Sequence, residues 1–196
     1  MRFPKAGLLL ACAGAVVAAP ALPVAAAIIT NEEVHLQYDY SEFYAVAGGK
    51  EFEVVVRGNP TNVPQAQFEA WLMQLLTQAM RTTNTRPTTT PTVRTQHPNY
   101  RLVLVFNLDS GELGTTLCGD LARVVPPPSV QPGRLTVAAA YCRNEDPMTE
   151  AFARTTASSL DDPAAQALFN ELTSVLFPSR PGLLPNRNMW NNGFFR

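Results

Sequence analysis

Cysteine, histidine and lysine are all scarce in this 196-residue sequence, which holds three, two and two of them. Two histidines leave little for an imidazole-rich metal centre or a proton relay. Charge is sparse too: Asp, Glu, Lys and Arg make up 16%, against about a quarter in an ordinary soluble domain. The 15 basic and 16 acidic residues leave a net charge of −1, so the basic surface of a nucleic-acid-binding protein is missing. Also missing are G-x-G-x-x-G, G-x-S-x-G, H-E-x-x-H and an EF-hand loop. Gly48-Gly49-Lys50 lacks the upstream glycine and the following Ser or Thr of a phosphate-binding loop. Proline is plentiful instead, with 17 residues, nearly twice the usual share of about 5%. This balance excludes a coiled coil, a collagen-like chain and a polytopic membrane protein.

The amino-terminal stretch is the most telling. Arg2 and Lys5 precede a charge-free run from Ala6 to Ile29. A basic start, an apolar middle and a small-residue exit are the marks of a secretory signal peptide. Val24-Ala25-Ala26-Ala27 supplies an A-x-A exit with Pro23 just upstream, so residues 1–27 read as a leader cut after Ala27. Two alternatives remain at this point. Leu9-Leu10-Ala11-Cys12 resembles a lipobox, which would make Cys12 a lipidated first residue, although its apolar run is short. An uncleaved anchor is the other, weakened by Pro20 and Pro23. Membrane contact is expected only through this segment, if it is uncleaved or lipidated; the expected location is the periplasm or cell envelope.

Removal of the leader leaves Cys118 and Cys142, an even pair in an oxidising compartment. Their spacing fits neither a C-x-x-C redox motif nor a metal knuckle. Zinc ligation would require both cysteines to converge with His35 and His97, which nothing in the spacing suggests. A structural disulfide is the expectation, with no metal and no cofactor.

The remaining chain reads as one α+β domain over residues 28–178, followed by an irregular tail from Ser179 that carries Met189, Trp190, Phe194 and Phe195. Val34, Leu36, Tyr38 and Tyr40 alternate with polar residues, as do Phe52, Val54 and Val56, which predicts a β-hairpin around Gly48-Gly49. Asn62, Pro64 and Gln65 open a predicted helix whose apolar positions run from Phe68 to Met80. Residues 82–98, rich in Thr and Pro, predict a mobile loop. Arg101–Leu108 and Leu135–Cys142 read as central strands, separated by a long loop holding Cys118 and Pro126-Pro127-Pro128. Asp162 and Pro163 start a second helix that Pro178 stops. The expected order is ββαββα, a two-layer sandwich with two helices on one face of a four-stranded, mostly antiparallel sheet.

In that arrangement the outer face of the hairpin shows His35, Asp39, Glu51, Glu53 and Arg57, a candidate ligand face. Alternation produces a solvated polar face automatically, so the same residues also read as plain surface. Glu145-Asp146 reads as a solvated turn.

The strings VVVRGNP, YRLVLVFN, LCGD and AAAYCRNEDPMT resemble those of a family of small exported bacterial proteins. The resemblance implies an envelope location and paired cysteines, and it carries over no substrate or catalytic residue. The leading expectation is a non-enzymatic envelope protein that binds another envelope protein or a small ligand. The alternatives are a hydrolase assembled in three dimensions, with His35 or His97 as base, and a lipid-anchored assembly factor that depends on Cys12.

Overall fold

Tyr100–Phe106 and Leu135–Arg143 form the middle of the sheet because they are apolar on both faces and almost wholly buried. The structure, a computed structural model, describes residues 26–92, 99–110, 114–127, 132–157 and 161–180. Cys12 and the rest of the expected leader up to residue 25, His97, Pro128 and the tail residues Met189, Trp190, Phe194 and Phe195 lie outside these residues.

In chain order the elements are β1 (Ile28–Val34), α1 (Tyr40–Ala47), β2 (Glu51–Arg57), α2 (Gln65–Ala79), β3 (Arg86–Thr88), β4 (Tyr100–Phe106), α3 (Gly114–Gly119), β5 (Leu135–Arg143), β6 (Asp146–Thr155) and α4 (Pro163–Leu176). Short 3-10 turns follow α2 and α3. The six strands form one mixed sheet in the order β1-β6-β5-β4-β2-β3. Strands β4, β5, β6 and β1 pair antiparallel, whereas β2 runs parallel to both β3 and β4. The fold is α+β, but the expected four-stranded sheet with two helices is replaced by six strands and four α-helices among the described residues.

Each difference has a local cause. The alternation from Val34 to Ser41 is not a strand: β1 ends at Val34, and Asp39 caps α1 by accepting the Ser41 N–H at 2.7 Å. An Asp followed three residues later by Glu42 is a helix-start signature that outweighs eight residues of alternation. Strand β1 was hidden by its polar sequence, IITNEEV, which a sheet edge tolerates. The Thr/Pro segment contributes β3, whose Pro87 sits opposite Phe52; an edge strand accommodates a residue that cannot donate. Asn144, at φ 55°, makes the tight β5–β6 turn, where Glu145 and Asp146 are exposed as expected, and the chain past it continues as the strand β6. Cys118 lies on the short helix α3 rather than in a loop.

The sheet is covered on both sides. Helices α1, α2 and α4 pack on one face, where Phe43, Phe68, Leu72, Leu168 and Leu172 meet Leu102, Leu104, Phe106 and Tyr141. Phe43 stacks on Phe177 with ring centroids 4.2 Å apart and meets Phe52 and Tyr141 edge-on. On the other face Leu117, Cys118 and Val124 cover Val103, Val105, Ala138, Ala140 and Phe152. The alanines of β5 let α3 approach closely, as small residues at a strand centre do. Asp162 caps α4 by accepting the Ala164 N–H at 2.9 Å, with Pro163 at the first helical position, as expected.

Candidate functional site

Cys118 and Cys142 form a disulfide with Cα atoms 5.5 Å apart, inside the natural range of about 4.4–6.8 Å. It ties α3 to the central strand β5, and both residues are buried in the second apolar layer. Arg101 reinforces the join by donating from Nη2 to the Cys118 carbonyl oxygen at 2.5 Å.

The candidate ligand face does not assemble as a unit. Glu51, Glu53 and Arg57 alternate along β2, and Glu51 accepts the Thr92 N–H and hydroxyl at 2.8 and 2.7 Å. Those bonds, the backbone one first, hold the Glu51 carboxyl below its ordinary range. Asp39 is used as the α1 cap, and its hydrogen bonds from Ser41 lower its pKa. His35 follows β1, at the opposite edge of the sheet, with β6, β5 and β4 between it and β2.

At that edge His35 has different companions. A β-bulge between Thr30 and Glu33, with Asn31 at φ 52°, resets the β1 register so that Glu33 stands directly opposite Glu150 of β6. Opposite residues in an antiparallel ladder share a face, so two carboxylates meet where like charges destabilise the pair. The His35 N–H donates to the Met148 carbonyl at 3.0 Å and continues the ladder. That keeps the imidazole on the Glu33 side, two residues along. Its Nδ1 lies 3.8 Å from Glu33 Oε1, and one ligand atom from each of Glu33, His35 and Glu150 falls within 4.8 Å of the others.

Glu150 is 9% exposed, and its Oε2 accepts the Gly114 N–H. A Cβ at Gly114 would collide with that carboxylate and with Pro147, so glycine is required for the approach. Burial raises the Glu150 carboxyl above its ordinary range; the Gly114 donor and His35 oppose the shift, and Glu33 adds to it. Among the described residues no Lys or Arg pairs with Glu33 or Glu150. His35 Nε2 is buried and has no hydrogen-bond partner there. The chemistry this trio supports is the holding of one positive charge, as a shared proton or a cation.

The alternation in the sequence groups His35 with Asp39, Glu51, Glu53 and Arg57, whereas in the fold its companions are Glu33 and Glu150. The Glu33-x-His35 spacing, which puts two ligand-type residues on one face of a strand, was the available signal. Glu150 had none, because its strand was not foreseen.

A second polar cluster, Glu42, Tyr100 and Arg143, joins α1 to the sheet: the Tyr100 hydroxyl donates to Glu42, and Arg143 Nη1 lies 3.4 Å from Glu42 Oε2. Between α2 and α4, Trp71, Gln74, Gln78, Asp161 and Gln166 line a cleft of about 200 Å³, smaller than the roughly 300–1,000 Å³ typical of small-molecule sites.

No protein-family model matches the chain, and no curated protein sequence does. Among solved structures it is similar to the PelC dodecamer from Paraburkholderia phytofirmans in two crystal forms. A point variant of PelC aligns with a TM-score of 0.42 at 15% identity, over 78% of this chain and 98% of the other. The other form gives 0.44 at 15%, over 77% and 97%. At that level the likeness carries no argument about function. No helix among the described residues is long and apolar enough to cross a membrane.

Proposed function

We propose that the chain is an exported protein of the bacterial cell envelope that acts by binding an envelope protein or a small ligand rather than by catalysis. The observation that carries the reading is the buried Cys118–Cys142 disulfide. Structural disulfides persist in oxidising compartments and are rare in the cytosol, which accords with the leader expected over residues 1–27. The strand β1 begins at Ile28, the residue after the expected cut. For His35 to serve a hydrolase as base, a nucleophile's hydroxyl would have to lie within hydrogen-bond reach. The side chains gathered beside it are instead carboxylates, which favours binding over nucleophilic catalysis.

The test is affinity capture from envelope extracts with the tagged, oxidised mature chain. The expected result is one stoichiometric partner, or one bound small molecule seen by native mass spectrometry, lost when the disulfide is reduced. A free monomer across growth conditions, or turnover of hydrolase substrates that Ala substitution of His35 abolishes, would overturn the reading.

A further inference from the structure

We propose that Glu33, His35 and Glu150 form a binding site for one first-row divalent cation, of the Zn²⁺ or Mn²⁺ type, at the β1–β6 edge of the sheet. The inference stands apart from the envelope reading and needs neither export nor a partner.

Three independent features converge on it. The first is the ligand set: one imidazole nitrogen and two carboxylate oxygens within 4.8 Å of one another. Nitrogen with carboxylate oxygen is a donor mixture of intermediate softness, suited to Zn²⁺, Mn²⁺ or Fe²⁺. Metal–ligand bonds of about 2.1 Å place ligand atoms roughly 3–4 Å apart. Nδ1 of His35 and Oε1 of Glu33 stand 3.8 Å apart, inside that range.

The second is a carboxyl pair with no Lys or Arg to neutralise it among the described residues. Glu150 is buried and stands directly opposite Glu33 in the ladder. A cation between the two carboxylates converts that repulsion into attraction. The third is His35 itself: its Nε2 is a buried polar atom with no hydrogen-bond partner among the described residues. No protein partner therefore fixes the ring's tautomer, and one ring nitrogen, Nδ1 or Nε2 but not both, is left to take the ion. Buried polar atoms ordinarily have a partner, and an exception calls for an ion, a water or a function.

The site is also held in place. Gly114 fixes one Glu150 oxygen from the α3 side, in the way that outer-shell hydrogen bonds orient metal ligands. The disulfide holds α3, and with it Gly114, against the sheet. The side chains of His35 and Glu33 are 22% and 47% exposed, so water reaches the open side and completes the coordination. Three protein ligands plus water is the pattern of sites that keep an exchangeable position.

The test uses the chain expressed whole, stripped by chelator and dialysed into metal-free buffer. Zn²⁺ and Mn²⁺ are titrated by calorimetry, and bound metal is counted by elemental analysis after gel filtration. The expected result is one equivalent of at least one of the two ions, with each of Glu33→Gln, His35→Gln and Glu150→Gln weakening binding at least ~10-fold. Glu171→Gln, on the exposed side of α4, should leave the affinity unchanged. Glu33→Gln and His35→Gln alter partly exposed side chains, so they keep the test usable if Glu150→Gln fails to fold. Absence of binding by both ions, or binding that survives the Glu33 and His35 substitutions, would overturn the proposal.

Discussion

Replacing Cys118 and Cys142 together by alanine removes a cross-link between residues 24 apart in sequence. The cross-link restricts the unfolded chain, and in the loop-entropy account a closed loop of that length is worth about 3.4 kcal/mol at 25 °C. Packing adds to the loss. Cys118 and Cys142 are 3% and 0% exposed, and the vacated sulfur volume lies against Val103, Ala140 and Leu117 in a layer with few residues to collapse into it. The expected total is therefore about 3–5 kcal/mol, which for a domain of this size lowers Tm by roughly 6–20 °C. Urea unfolding of the oxidised chain, the reduced chain and the double variant is the assay. The variant should lose midpoint and gain slope, because an uncross-linked unfolded chain exposes more surface. Near-ultraviolet circular dichroism should change little, since the paired strands do not depend on the bond. A loss below ~1 kcal/mol with unchanged slope would refute the reasoning.

Two further outcomes follow from single side chains. The Tyr141 hydroxyl is buried without a hydrogen-bond partner among the described residues, so Tyr141→Phe should leave stability unchanged or raise it by up to ~1 kcal/mol in urea; a clear loss would show that the hydroxyl has a partner. Burial, and then the hydrogen bond to Glu42, push the Tyr100 phenol from 10.0 up to about 12. A pKa raised by folding contributes stability that is complete below the unfolded value and is lost as pH rises through the folded one. Stability should therefore decline between pH 10 and about 12. Ultraviolet titration should show the delayed phenol and its return toward normal in Glu42→Gln; a phenol at its ordinary pKa would contradict the packing described.

How far the fold could be read in advance depended on whether burial or pairing decides an element. Strands β4 and β5 are fully covered and announce themselves as apolar runs. Helices α2 and α4 show an apolar stripe, and Asp162-Pro163 marks the start of α4. The segments that escaped are those whose conformation rests on neighbours. Strand β1 is polar because it lies at an edge, and β3 is three residues long with a proline in it. Strand β6 follows Asn144 and carries Pro147, Glu150 and Arg154, which disguise an otherwise buried strand. The period-two pattern at Val34–Ser41 misled because a turn and the first turn of a short helix produce alternation by chance. The disulfide was legible from the cysteine count and the expected compartment alone. The Glu33–Glu150 pair was not, since it exists only through the β1–β6 register and its bulge.

The most direct measurement is the intact mass of the chain recovered from the envelope fraction of its own host, without reductant and with an alkylating agent present throughout. An exported, disulfide-bonded protein should appear as a chain beginning at Ile28, unalkylated, and two hydrogens lighter than its reduced form. A chain that keeps residues 1–27, fractionates with the cytoplasm and takes alkyl groups on Cys118 and Cys142 would contradict the account.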